Sequence, residues 1–288
     1  MRRKVNAVGT GTLTLSLPMG WVKRCRIKKG DELFVKENPD GSLHILLEEF
    51  KSQDLKKSFS SKGLLSFLDK FVAALYKAGY DELHIQYSSQ EELDVIQKLL
   101  QKTCLGFEVT ELTKKTITIK SVSKLSVDDF DSLLKRLFNI LIGITEELYD
   151  AVKSKDDEAL SSIILRHNLI NRYADLCRRL INTGPHHFVR PGPLYYVVES
   201  VEKISHMYRL FTEQLLQEGI HKADLAKIKL VNDHFRSAKL LFYDYSREGM
   251  ASFISQKEVI SNKIDDPLLK SIAQYIFYMN GSINVLKE

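Results

Sequence analysis

Apolar and polar positions alternate along most of the first fifty residues, and turn residues interrupt the alternation. Four alternating runs predict four short strands, at residues 4–8, 12–17, 32–36 and 43–47. Pro18 lies where a helix would begin, and the apolar residues Trp21, Val22 and Cys25 follow at helical spacing. Turn residues at 38–41 separate the last two strands. The pattern therefore predicts two strands, a short helix and two more strands in a small unit.

The pattern changes in the middle of the chain. Residues 51–61 are rich in Ser and Lys and predict a linker. A small α+β unit follows, with helices expected at 64–77 and 91–102 and strands at 82–87, 107–112 and 116–120. Its single histidine, His84, lies in a strand with no partner at metal-ligand spacing, and the unit has no catalytic constellation.

From residue 126 onward, apolar residues recur every three or four positions, which predicts a helical bundle. Three apolar seams run over residues 134–148, 160–181 and 197–215, and three further helices are expected near 222–245, 247–263 and 267–287. Asp266 and Pro267 are typical of the start of the last helix. Six helices in two sets of three suggest an internal duplication. We therefore expect a multi-domain chain of α and β structure with domains at 1–50, 51–122 and 123–288.

Positive charge is concentrated in the first thirty residues. The chain has 42 Lys and Arg against 37 Asp and Glu, a net charge of +5. Eight of the basic residues and no acidic residue lie before residue 31: Arg2, Arg3, Lys4, Lys23, Arg24, Arg26, Lys28 and Lys29. Without those eight, 34 basic residues remain against the 37 acidic ones, so the positive balance belongs to the N-terminal unit. This asymmetry indicates a polyanionic partner, although a solvated surface remains the alternative interpretation.

A unit of about fifty residues buries too little apolar surface to form a stable core alone. We therefore expect a second copy of the chain to complete the fold of the N-terminal unit.

Composition excludes several classes of protein. The hydrophobic share of 44% and charged share of 27% are typical of a globular protein. Cys25, Cys104 and Cys177 lack the C-x-x-C spacing of a zinc ribbon and favour a reducing compartment. Charges follow Met1, and no run of about 18 apolar residues occurs, so we expect a cytoplasmic protein without membrane insertion. Residues 9–11 lack the Gly-Lys-Ser/Thr ending of a phosphate-binding loop and are interpreted as a strand turn.

The N-terminal unit resembles the AbrB/MazE/SpoVT swapped-hairpin DNA-binding domain over most of residues 1–48. The similarity lies in Leu15-Ser16-Leu17-Pro18 with Trp21 nearby, and then in Ile27, Gly30 and Asp31 before a strand, a turn and a strand. The resemblance implies a homodimer in which two chains interleave their hairpins into one β-barrel and present basic residues to double-stranded DNA. The residues implied as phosphate and groove contacts are Arg2, Arg3, Lys4, Lys23, Arg24 and Arg26, and we add Lys28 and Lys29 to this candidate set.

The helical part resembles the PhoU family of phosphate-uptake regulators over roughly residues 125–288. Residues 166–173 and 178–180 are similar to a signature helix of archaeal PhoU-like proteins, and residues 201–206 resemble the family's E-R-I-G-D segment. An AbrB-like head joined to a PhoU-like body is an archaeal arrangement, so the two resemblances support each other. They imply a six-helix PhoU-like bundle behind the DNA-binding head.

Acidic residues spaced four apart on two helices hold hard cations in that family. Here the first pair reads His167 and Asn171, and the second reads Glu202 and His206. We therefore expect no resident cofactor of the family type. A transition-metal site of His167, Glu202 and His206 stays open, because imidazole and carboxylate suit such ions. The alternative is a hydrogen-bonded core histidine at 167 beside a polar stripe on the neighbouring helix.

Three functions compete for this sequence. The first is a dimeric DNA-binding transcription regulator whose PhoU-like bundle couples to phosphate homeostasis. The second is a scaffold that binds no DNA and instead contacts a phosphate-transporter ATPase or a signalling protein. The third, a metal-dependent hydrolase, lacks a pairing of nucleophile and base, so we expect a protein that is not an enzyme.

Overall fold

The computed structural model describes residues 2–37, 41–47, 55–122, 127–184 and 187–288. The chain forms two units, Met1–Gln53 and Asp54–Glu288, which are considered separately. The described residues are of mixed α and β structure, and most of the second unit is helical. No helix in these ranges combines the length and the apolar character needed to cross a membrane.

The first unit, the head, consists of two antiparallel hairpins separated by a short helix. Strands β1 (Val5–Val8) and β2 (Thr12–Leu15) form one hairpin, helix α1 covers Met19–Cys25, and strands β3 (Phe34–Glu37) and β4 (Leu43–Leu46) form the other. The predicted order of elements is confirmed, although β3 begins and ends later than expected. The described residues of one chain form two separate two-stranded sheets, with no closed barrel among them. The predicted turn at 38–41 lies largely outside the described residues.

The turn between β1 and β2 confirms the interpretation of residues 9–11. Gly9 and Gly11 have φ values of 66° and 109°, in the region that only glycine occupies freely. The two glycines let β1 reverse directly into β2, pairing Val8 with Thr12.

The second unit begins with a four-stranded sheet against which two helices pack. Its strands are β5 (Lys56–Ser60), β6 (Glu82–Gln86), β7 (Phe107–Leu112) and β8 (Thr116–Ser121), in the order β5-β6-β8-β7. Strand β5 runs parallel to β6, and the other pairs are antiparallel. Helices α2 (Leu68–Lys77) and α3 (Gln90–Lys102) supply apolar residues such as Leu68, Val72 and Ile96 to a core shared with Leu83 and Ile117.

Two predictions for this region are wrong. The linker expected at 51–61 is a strand at Lys56–Ser60, while residues 51–54 lie outside the described part of the chain. Ser61, which ends the strand, is buried, and its hydroxyl donates to the Glu92 carboxylate at 2.7 Å. The helix expected from residue 64 begins only at Leu68, because the preceding residues form turns with Gly63 at a φ of 80°.

The bundle that follows contains the six predicted helices. They are α4 (Phe130–Ser154), α5 (Asp157–Thr183), α6 (Pro191–Glu218), α7 (Leu225–Tyr243), α8 (Arg247–Lys263) and α9 (Pro267–Lys287). The side chains of Asp156, Asp224, Ser246 and Asp266 accept backbone N–H groups at the first turns of α5, α7, α8 and α9. The expected N-cap at Asp266 and the proline after it are confirmed.

The helices pack around one continuous apolar core. Helix α4 contacts α5 and α7, helix α6 contacts α5 and α9, and α7 contacts α9. A buried polar chain crosses this core: the Tyr208 hydroxyl donates to Asn232 Oδ1 at 2.7 Å, and Asn232 Nδ2 donates to the Thr145 carbonyl at 2.8 Å. These bonds fix α6, α7 and α4 in register, because each buried polar group has its partner on another helix.

Arg179 of α5 joins the bundle to the α+β region. Its guanidinium donates to the Tyr76 carbonyl at 2.8 Å and to the Tyr80 carbonyl at 2.7 Å, and it forms an ion pair with Asp81. It also lies over the rings of Tyr76 and Phe107. The cation therefore satisfies carbonyls at the C-terminal end of α2, where the helix dipole is negative.

Asp81 serves a second partner. Its carboxylate accepts the backbone N–H of Leu55 at 3.1 Å, and its own N–H donates to the Leu55 carbonyl at 2.7 Å. These hydrogen bonds place Leu55, at the start of the described second unit, next to the ion pair between Asp81 and Arg179.

Candidate nucleic-acid interface

The eight basic residues of the head occupy two stretches. Three precede β1, and the other five lie between the last turn of α1 and the turn that follows it. All eight are exposed: Arg2, Arg3, Lys4, Lys23, Arg24, Arg26, Lys28 and Lys29. Within the described ranges, none of these side chains forms an ion pair or a side-chain hydrogen bond. These eight cations therefore face solvent, and no residue in the described part of the head neutralises them.

Helix α1 has two chemically different sides. Trp21, Val22 and Cys25 are half-buried, whereas Lys23 and Arg24 are exposed. Both basic side chains lie in the last turn, where positive charge is favourable because the helix dipole is negative there. The fold of the head thus directs Trp21, Val22 and Cys25 inward and the cations of α1 outward, and the one-sided spacing of these three apolar residues is confirmed.

Arg26 follows α1 in a left-handed conformation with φ at 54° and ψ at 33°. Its N–H donates to the Lys23 carbonyl at 3.3 Å, and the N–H of Ile27 donates to the Val22 carbonyl at 3.0 Å. Glycine is the usual residue at this position, since a side chain costs roughly 1 kcal/mol there. The chain therefore has a positively charged side chain at a position where the backbone conformation favours glycine.

The turn after the helix is stabilised by an acid that binds the backbone and leaves the two lysines unpaired among the described residues. The backbone N–H of Lys28 donates to the Asp31 carboxylate at 2.7 Å. Because this bond uses the main chain, the ammonium groups of Lys28 and Lys29 stay available to an external anion. Guanidinium and ammonium groups arranged in this way suit phosphate oxygens, which accept charge-assisted hydrogen bonds.

The head also exposes much of its apolar surface. None of its described residues is buried, and the Leu13 side chain is 73% exposed. Val35, Leu43 and Met19 are exposed as well. A stable fold needs a hydrophobic core, and two hairpins whose apolar residues face solvent do not form one.

The histidine considered as a metal ligand lies inside the bundle. His167 is 8% exposed, and its Nδ1 lies 2.8 Å from the Ser205 hydroxyl on α6. Burial is the main cause that lowers its pKa to about 4, and the positive Arg209 and the His206 ring act in the same direction. The imidazole is therefore neutral near pH 7 and is held by a hydroxyl between two helices.

The other two candidate ligands have different partners. The Glu202 carboxylate lies 3.3 Å from Arg178, a buried residue that also pairs with Asp175 at 2.6 Å and with Glu199 at 3.0 Å. His206 lies beside Arg209, with 3.4 Å between His206 Nδ1 and the guanidinium. Across the described ranges, no three His, Cys, Asp or Glu side chains form a group that could hold a metal ion. The structure therefore brings His206 near His167 but directs Glu202 to Arg178.

Two further groups have partners that were not predicted. The Nε2 of His84 lies 2.8 Å from the Glu82 carboxylate on the same strand, and this pair belongs to no metal-binding group among the described residues. Hydrogen bonds from Lys56 and Lys120 lower the pKa of Glu82 to about 2. The cluster around Arg178 was not predicted, although Glu199 and Glu202 are spaced three apart on one helix and could have indicated a shared cation.

The described residues thus contain two exposed basic stretches in the head, without ion-pair partners among these residues, and a bundle whose candidate metal ligands have other partners. Comparisons of the chain with protein-family models, with curated proteins and with solved structures found no match.

Proposed function

We propose that the protein is a homodimeric transcription regulator that binds double-stranded DNA through its basic head. The observation that carries this proposal is the set of eight exposed cations in residues 2–29 without an ion-pair partner among the described residues. A duplex supplies a dense row of phosphates, and each contact releases condensed counterions, which favours binding.

A solvated surface is the weaker explanation for these charges. Some exposed arginines of the bundle are neutralised, as when Arg166 pairs with Glu147 and Arg247 pairs with Glu288. The head instead places five cations between residues 23 and 29, where they repel one another. An arrangement of this kind is favoured when an anion binds to it.

The homodimer is supported by the exposed apolar residues of the head. Leu13, Val35 and Leu43 would each leave water if the hairpins of a second chain packed on them. The same association would double the positive charge facing one duplex. Dimerisation and DNA binding therefore support each other, as the swapped-hairpin resemblance implies.

The proposed role of the bundle is regulatory. Its assignment to phosphate uptake rests on the similarity of residues 166–180 and 201–206 to PhoU-like segments. A regulatory role needs no metal-binding acids, so the engaged side chains around His167 are compatible with it.

The proposal is tested by the salt dependence of DNA affinity. Fluorescence anisotropy of the full chain with a labelled duplex should give a log affinity that falls linearly with log salt, by roughly 0.9 per phosphate that the protein neutralises. The double variant Arg24→Gln with Arg26→Gly should flatten this slope by roughly 0.9 for each phosphate that it no longer neutralises. Glycine is chosen at position 26 because it preserves the left-handed end of α1.

The control is Lys114→Gln with Lys115→Gln, which removes two neighbouring exposed charges from the β7–β8 turn in the second unit. Its slope should equal that of the wild type. Equal slopes for all three proteins, or no measurable DNA affinity at low salt, would refute the proposal and favour the scaffold hypothesis.

A further inference from the structure

A cavity of about 250 Å³ lies among helices α7, α8 and α9 of the bundle. Its polar lining comes from His234, Lys257, Ser261, Lys270 and Gln274. Ile260, Ala273 and Phe277 supply the apolar part. The volume corresponds to about eight water molecules at their share of liquid volume, which is the size of a small organic molecule.

His234 gives the first indication that the cavity takes a ligand. The residue is 2% exposed, and its Nδ1 is buried without a hydrogen-bond partner in the described part of the chain. Burial lowers the pKa of the imidazole to about 4, so the ring is neutral near pH 7. One face of the ring stacks on Phe253 with 4.4 Å between centroids. A buried polar group without a partner is costly, and a bound ligand is one established reason for its presence.

The two lysines give the second indication. Lys257 lies with its ammonium 4.6 Å above the Phe277 ring, and Lys270 approaches from α9. Neither ammonium forms an ion pair with a described residue, and no Asp or Glu lines the cavity. The charge at this site is therefore positive, and the donors of Ser261 and Gln274 stand beside it.

We propose that this cavity binds a small organic anion. Its carboxylate or similar acidic group meets Lys257 and Lys270, with hydrogen bonds from Ser261 and from His234 Nδ1, and its apolar body lies against Ile260 and Ala273. Cations are excluded by the two ammonium groups, and a purely inorganic anion would leave the apolar lining unused. This site is separate from the DNA-binding proposal, and neither depends on the other.

The test uses the full chain and two probes of matching shape. Isothermal titration calorimetry should show saturable binding of benzoate, whereas benzamide, which lacks the negative charge, should bind at least about tenfold more weakly. Equal binding of the two probes would overturn the anion assignment. Inorganic phosphate is the third probe, and phosphate that binds as tightly as benzoate would overturn the assignment of an organic ligand.

Substitutions of single lysines test whether benzoate binds in this cavity. Lys257→Met and Lys270→Met should each weaken benzoate about tenfold or more, while Lys263→Met, an exposed lysine at the end of the same helix α8, should leave the affinity unchanged. Because all three lysines are exposed, their replacement leaves the core intact. As a second measurement, benzoate should raise the thermal midpoint of the wild type and of Lys263→Met more than that of the two cavity variants. An unchanged affinity in both cavity variants would refute the site.

Discussion

Replacement of Arg179 offers the sharpest test of how the second unit is held together. The guanidinium is 7% exposed and serves two carbonyls and one carboxylate at once. Lysine would keep the charge, but a single ammonium cannot reproduce the planar fork or its packing on Tyr76 and Phe107. Methionine would remove the donors while filling a similar volume.

The cost follows from the hydrogen bonds that each variant removes. The carbonyl of the fully buried Tyr76 keeps the Gly79 N–H as a second partner at 3.1 Å, so loss of the guanidinium costs about 1 kcal/mol at this carbonyl. Asp81 is half-buried and can be partly rehydrated, so its contribution is also about 1 kcal/mol. With about 1 kcal/mol for each of the two carbonyls and for Asp81, we expect Arg179→Met to destabilise the second unit by about 2 to 3 kcal/mol and Arg179→Lys by about 1 to 2 kcal/mol.

The assay is urea unfolding of the full chain followed by far-ultraviolet circular dichroism. Tryptophan fluorescence is unsuitable, because the one tryptophan, Trp21, lies in the head. Arg166→Lys is the control on the same helix: Arg166 pairs with Glu147 in an exposed position, so its replacement should cost at most about 1 kcal/mol. The explanation fails if Arg179→Lys unfolds at the urea concentration of the wild type, or if the control costs as much.

Two further predictions concern the head and the buried histidine of the cavity. Leu13→Glu should weaken self-association about 10² to 10⁴-fold in sedimentation velocity, because two leucines lose about 1.5 to 3 kcal/mol of burial each. Leu165→Glu, at a bundle position that is 71% exposed, should associate like the wild type, and equal behaviour of the two would contradict the dimer. His234 has a folded pKa near 4 and an unfolded value near 6.5, so wild-type stability falls as pH decreases through this interval. His234→Phe should gain up to about 1.4 kcal/mol per pH unit over the wild type between pH 6.5 and 5, and a constant difference in unfolding free energy would refute this.

The helices were predictable because their signals are local. Each seam repeats within one helix, and Asp266 with Pro267 marks a start that the neighbouring residues alone determine. Strand β5 was missed because its signal is not local. Phe59 is its only large apolar residue, and the strand exists because it pairs with β6, some 26 residues further along the chain.

The candidate sites divide in the same way. The exposure of Lys23 and Arg24 followed from the helical spacing of Trp21, Val22 and Cys25, so the basic surface was visible in the sequence. The partners that lie on other helices were not visible in the sequence. The ion pair between Glu202 and Arg178 depends on how α5 and α6 pack, and the cavity at His234 is formed by three helices.

The carboxylate of Asp81 connects the start of the second unit to the helical bundle. It accepts the backbone N–H of Leu55, near the start of that unit, and it pairs with the guanidinium of Arg179, which connects α5 to the C-terminal end of α2. Leu55 is therefore linked to α5 through one side chain, in addition to the backbone hydrogen bonds that join it to Asp81 and Glu82 beside the sheet. The link between Leu55 and the apolar core of the bundle thus includes a half-buried ion pair, which salt screens.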